Sequence, residues 1–154
     1  MIAVSLSDEA ATATLAARIA MLAKPGDVIA LRGDLGAGKT VFARAFIRAW
    51  TRIDEEVPSP TFTLVQIYNT VAAAIWHFDL YRLTSAEEVW ELGIEDAFAS
   101  GISLIEWPER LGTLLPPNRL DVALEFGDQP AARHAVIAGD AGWCPRLSEI
   151  SVDA

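Results

Sequence analysis

The sequence predicts an α/β fold, one domain of three layers built on a mixed, partly parallel sheet. Three observations carry this. An apolar run, Val28-Ile29-Ala30-Leu31, leads through a glycine-rich turn into an amphipathic stretch, the strand–loop–helix order typical of parallel sheets. A second run, Ile102-Ser103-Leu104-Ile105, is nearly as apolar, as expected of a strand covered on both faces. Two pairs of strand-like segments flank turn signals and add antiparallel hairpins, which makes the sheet mixed.

The elements follow in order. Ser7 is placed to cap a helix whose first turn holds Asp8 and Glu9, where the helix dipole favours negative charge. Leu15, Ile19 and Leu22 recur at helical spacing, and Lys24-Pro25-Gly26 ends the helix. After the strand at 28–31 and the glycine-rich turn, a helix resumes at Thr40. Its apolar face is Val41, Phe42, Ala45, Phe46 and Ala49. Asp54 to Pro60 reads as a loop. Phe62 to Tyr68 and Ala72 to Phe78 read as strands joined across Asn69-Thr70. Thr84-Ser85-Ala86-Glu87 is a capping-box pattern for a short helix that Gly93 can close. The strand at 102–105 ends on Glu106, Pro116-Pro117-Asn118 is a break, and Val122 to Phe126 with Ala135 to Ala138 form a closing hairpin across Gly127-Asp128-Gln129-Pro130.

Composition bounds the function. The 154 residues suit a single domain at 1–140, with 141–154 a C-terminal tail that is loosely held. A hydrophobic content of 52% and a mean hydropathy of +0.28 exclude a disordered chain. The net charge of −9 argues against a surface that itself grips nucleic acid or an anionic membrane. A single cysteine, Cys144, excludes an internal disulfide and a cysteine-cluster zinc site, and suits a cytoplasmic setting. No basic leader precedes the acidic start at Asp8-Glu9, so no secretory signal is expected. The apolar stretches are too short to span a bilayer.

The strongest motif is Gly33-Asp34-Leu35-Gly36-Ala37-Gly38-Lys39-Thr40, which fits G-x-x-x-x-G-K-[ST], with a strand before it and a helix after it; these residues and Val41 are the candidate nucleotide contacts. The expectation is a P-loop NTPase-like domain. Glycines let backbone N–H groups face a phosphate, and the helix N-terminus adds positive potential. Lys39 reaches the outer phosphate oxygens, and the Thr40 hydroxyl ligates magnesium. Only two lysines occur, Lys24 and Lys39, and neither completes a guanine-reading N/T-K-x-D motif, so ATP is the expected nucleotide.

A magnesium site of this kind wants a carboxylate at a strand end. Glu106 and Asp79 are the two candidates, and either could orient the attacking water. Thr61, in the proline-bracketed Ser59-Pro60-Thr61, is a candidate sensor of the γ-phosphate. Arg82 is a candidate for stabilising transition-state charge. Arg44, Arg48 and Arg52 share a helix face that is either solvated or a docking surface. His77 and His134 do not form a metal pair; His77 fits a core histidine. Cys144 has no basic neighbour in sequence and reads as inert.

Together these pieces resemble the TsaE (YjeE) family of small bacterial P-loop ATPases. The resemblance rests on Leu31-Arg32-Gly33 through Thr40, Ser59-Pro60-Thr61-Phe62-Thr63-Leu64-Val65, Tyr68, His77-Phe78-Asp79-Leu80-Tyr81-Arg82-Leu83, Glu88 to Gly93, Ile105-Glu106-Trp107-Pro108-Glu109 and Arg133. It implies an ATP-binding and ATP-hydrolysing subunit, slow in isolation, for threonylcarbamoyl modification of the adenosine next to the tRNA anticodon. It further implies that TsaD and TsaB type proteins are partners, that TsaD transfers the group, and that tRNA is met only through the complex. No membrane partner is implied, and the isolated chain is expected to be a monomer or weak oligomer. Residue by residue, it implies that Lys39 binds phosphate, Thr40 and Glu106 hold Mg2+, and Thr61 and Asp79 sit by the γ-phosphate. Trp107 would lie beside the site, and residues near Ser7–Glu9 would approach the nucleotide. The rival readings are a small-molecule P-loop kinase and a non-catalytic nucleotide-sensing subunit.

Overall fold

The computed structural model describes residues 1–52 and 63–151. The order is β1 (Ile2–Leu6), α1 (Glu9–Leu22), β2 (Val28–Arg32), α2 (Lys39–Thr51), β3 (Val65–Tyr68), β4 (Ile75–Asp79), a 3₁₀ turn (Ala86–Trp90), α3 (Ile94–Ser100), β5 (Ile102–Glu106), a second 3₁₀ segment (Pro108–Leu114), β6 (Leu120–Phe126), β7 (Arg133–Gly139) and α4 (Cys144–Ser151).

The described residues form one seven-stranded sheet in the order β1-β7-β6-β2-β5-β4-β3. Its centre is parallel: β2 pairs with β5 and β6, and β4 pairs with β5. Antiparallel strands extend both edges, β7 and β1 on one side and β3 on the other. The single α/β domain with a mixed, partly parallel sheet is therefore as expected. Both hairpins form too, with Val65 opposite Phe78 and Leu124 opposite Ala135.

Side chains alternate along the central strands and feed two cores. Ile29 and Leu31, Ile102 and Leu104, and Leu120, Val122 and Leu124 meet Leu15, Ile19, Phe42 and Phe46 of α1 and α2. On the opposite face Val28, Phe78 and Ile105 pack with Leu83, Val89, Ile94, Ala97 and Leu111. Each helical layer thus buries one face of the sheet, the main source of stability in this architecture.

Local details correct the sequence reading in four places. The helix cap is Asp8, not Ser7: its Oδ1 accepts the Ala11 N–H at 2.9 Å. The chain begins with a strand, because Ile2, Val4 and Leu6 alternate inward as β1 pairs with β7. Gly93 opens α3 with φ of 85° and does not close the segment before it. Ser85 makes no side-chain cap bond; its hydroxyl donates to the Glu87 carboxylate at 2.5 Å, and Thr84 likewise to Glu88.

The tail carries a helix of its own. Residues 144–151 form α4, and Trp143, Leu147 and Ile150 are buried in the main core. Arg146 forks onto Asp27, at 2.6 and 3.2 Å, donates to the Leu22 carbonyl and lies 3.8 Å over the Trp143 ring. No helix among the described residues is long and apolar enough to cross a membrane.

Candidate functional site

Parallel pairing of β2, β5 and β4 brings their carboxyl ends to one edge, where α/β sheets place their ligands. From β2 the chain turns through Gly33–Gly38 into α2. Gly33 is required by space: with φ of 148°, an added Cβ would meet the Leu124 carbonyl oxygen at 2.6 Å. The β4–β5 register sets Asp79 beside Glu106. The result is a cleft of about 340 Å³ lined by Glu9, Leu35, Gly36, Gly38, Lys39, Thr40, Val41, Asp79, Tyr81, Glu106 and Trp107.

Lys39 is buried, and its Nζ donates to the carbonyls of Gly33 (2.5 Å) and Asp34 (3.0 Å). The ammonium also sits 4.0 Å from the centre of the Trp107 ring, a cation–π contact. Burial pushes its pKa below the ordinary lysine value, although Glu106, Glu109, Asp79 and Asp34 pull the other way.

Glu106 is 2% exposed and held at both oxygens. The Thr40 hydroxyl donates to Oε1 at 2.9 Å, and Nε2 of His77 lies 2.7 Å from Oε2. Asp79 is also buried, and its Oδ1 accepts the Tyr81 N–H at 3.2 Å. The backbone locks this corner, with Asp79 N–H on the Leu64 carbonyl and Leu80 N–H on that of Glu106.

Trp107 holds left-handed backbone angles (φ 60°, ψ 52°) directly before Pro108, where extended backbone is the norm. Such a conformation costs on the order of 1–3 kcal/mol and persists where surrounding contacts impose it. Here the ring is wedged between Lys39 and Tyr81, whose ring centre is 5.0 Å away.

Hard oxygen donors side by side, the Thr40 hydroxyl and the Glu106 carboxylate, suit Mg2+, which is bound through few protein ligands together with substrate phosphates. Among the described residues no three His, Cys, Asp or Glu side chains gather as a metal cage. The residues present thus fit a magnesium ion, which Thr40 and Glu106 could hold.

The predicted residues Lys39, Thr40, Val41, Asp79 and Glu106 come together, and Glu9 and Trp107 join them. Thr61 lies outside the described residues. Arg82, Arg44, Arg48 and Arg52 do not line the cleft. Cys144 and His134 are exposed.

Two contacts escaped sequence reasoning. One is His77 on Glu106. The other is Arg133 of β7, which donates to the carbonyls of Ala37 (3.1 Å) and Gly36 (3.0 Å) and packs its guanidinium 4.8 Å from the Phe126 ring. Both join residues far apart in sequence, and no local pattern signals them.

Residues 6–135 match the family model described as "Threonylcarbamoyl adenosine biosynthesis protein TsaE". The chain belongs to the TsaE family. Among curated relatives, the tRNA threonylcarbamoyladenosine biosynthesis protein TsaE of Rickettsia felis is 45% identical over 124 residues, covering 80% of this chain and 72% of the relative. The protein of that name from Bacillus subtilis is 40% identical over 117 residues, covering 74% and 71%. The crystal structure of YdiB from Bacillus subtilis superposes with a TM-score of 0.75 at 30% identity, covering 96% of this chain and 91% of that one. Every cleft residue named above, and Arg133, lies within the TsaE match, whereas α4 lies beyond it.

Proposed function

We propose that this TsaE-family chain binds and hydrolyses ATP with Mg2+, and that it serves threonylcarbamoyladenosine formation in tRNA as the nucleotide-dependent subunit of a complex with TsaD and TsaB type partners. The observation that carries the reading is the Thr40–Glu106 contact at 2.9 Å beside the buried Lys39, at the foot of a phosphate-binding loop.

The chain's own residues have distinct tasks in this reading. Backbone N–H groups of Gly36, Gly38, Lys39 and Thr40 meet the phosphates from a helix N-terminus, while that of Ala37 is held by the Asp34 carbonyl at 3.0 Å. The Lys39 ammonium exchanges the Gly33 and Asp34 carbonyls for phosphate oxygens. Thr40 and Glu106 hold the metal, which when bound neutralises charge developing on the phosphates. Asp79, buried at the end of β4 beside Glu106, accepts a hydrogen bond from the attacking water; Thr61 is the proposed γ-phosphate contact. Water then displaces ADP from the γ-phosphorus in line, giving ADP and phosphate. The net charge of −9 suits a subunit that leaves tRNA to its partners.

The test is ATP binding by calorimetry and phosphate release, alone and with the partner proteins, for wild type and Lys39→Ala. Loss of binding and turnover in the variant is expected. Normal hydrolysis by Lys39→Ala sinks the assignment. Binding without turnover in any setting favours the nucleotide-sensing alternative, and ATP use that depends on an added acceptor favours a kinase.

A further inference from the structure

His77 is fully buried in β4, on the same strand face as Ile75 and Asp79. Ile75 simply joins the main core. An apolar side chain would occupy the next inward position at lower desolvation cost, so an imidazole there needs a polar partner. Glu106 is that partner: Nε2 lies 2.7 Å from Oε2, at the oxygen opposite the one held by Thr40. A carboxylate only accepts, so Nε2 is the donor. Nδ1 has no hydrogen-bond partner among the described residues, which leaves Glu106 as the polar anchor of the ring.

We infer that His77 is a positioning residue for the magnesium-binding carboxylate: it occupies Oε2 of Glu106 and thereby presents Oε1, beside the Thr40 hydroxyl, to the metal. This rests on the ATP-and-magnesium reading above. A strand-end glutamate has three side-chain torsions, and the Thr40 contact alone leaves the carboxylate free to turn and exchange its oxygens. The second contact, made from a neighbouring strand by a ring that packing immobilises, removes that freedom. Outer partners of metal ligands act in this way, and their loss typically weakens metal binding by about 10- to 100-fold.

The experiment measures the affinity of the full chain for a non-hydrolysable ATP analogue, with MgCl2 and with EDTA. The ratio of the two affinities is the magnesium-dependent increment. His77→Leu is expected to reduce that increment about 10- to 100-fold and to leave the EDTA value unchanged. His77→Gln, whose amide nitrogen reaches the Nε2 position, retains the increment; His77→Asn, whose amide stops at the Nδ1 position, loses it. Should the Leu variant fail to fold, the Gln and Asn pair decides alone. In a Glu106→Ala background, His77→Leu changes the increment no further.

A purely structural histidine gives other results: equal losses with and without magnesium, or Gln no better than Asn. Either overturns the inference, as does a Leu variant that matches wild type. If wild type itself shows no magnesium-dependent increment, the ATP-and-magnesium reading falls and this inference with it. A wild-type increment that ignores His77 overturns the inference alone.

Discussion

Nε of Arg133 donates a hydrogen bond to the Ala37 carbonyl at 3.1 Å, tying the final hairpin to the glycine-rich loop across 96 residues of chain. A second arm of the same guanidinium takes the Gly36 carbonyl. The loop proposed to present N–H groups to a phosphate is thus restrained through its C=O groups.

That grip predicts the behaviour of Arg133→Ala. Nucleotide affinity should fall about tenfold, ~1.5 kcal/mol, the low end for hydrogen bonds to a charged group. Arg133→Lys should not restore it, since an ammonium cannot supply the planar fork. Calorimetry with ATP checks both, and a lysine variant equal to wild type argues against the fork.

Gly33→Ala places a methyl carbon against the Leu124 carbonyl oxygen, at a φ of 148° that alanine avoids. The expected loss is more than about 1 kcal/mol of folding stability, because both the backbone and the β6 contact resist. Chemical denaturation reads it. A neutral result would mean that the loop relaxes away from β6.

Lys39 links stability to pH. Burial lowers its folded pKa below 10.5, so between the two values the unfolded chain binds the extra proton. Stability contributed through this group therefore rises with pH across that window and is lowest where the buried amine is charged. Lys39→Met removes the charge and with it the slope. Relative to wild type, the variant should lose ground in melting temperature as pH climbs from neutral toward 10.5. A constant offset contradicts the burial argument.

Helix α4 is part of the core, so Leu147→Ala should cost about 2–5 kcal/mol, the usual range for a truncated buried leucine. Leu147 does not line the cleft, and ATP affinity at a temperature where the variant stays folded should match wild type. A cost below ~1 kcal/mol would mean that α4 packs weakly.

The amino-acid sequence alone determined the local pieces: the apolar runs that become β2 and β5, the G-x-x-x-x-G-K-T loop, both hairpins, and the strand-end acids Asp79 and Glu106. Each is written within a few consecutive residues, where backbone sterics and hydrophobic period act directly. Tertiary structure decided the rest. Ile2 to Leu6 becomes a strand because β7 offers it an edge, and Cys144 to Ser151 becomes a packed helix because Trp143, Leu147 and Ile150 find the core. Gly93 turns from a helix end into a helix start once α3 docks. Strand order sets Asp79 beside Glu106 and brings His77 within 2.7 Å of that carboxylate across 29 residues. Such pairings depend on which surfaces fold against each other, and short-range pattern holds no record of that choice.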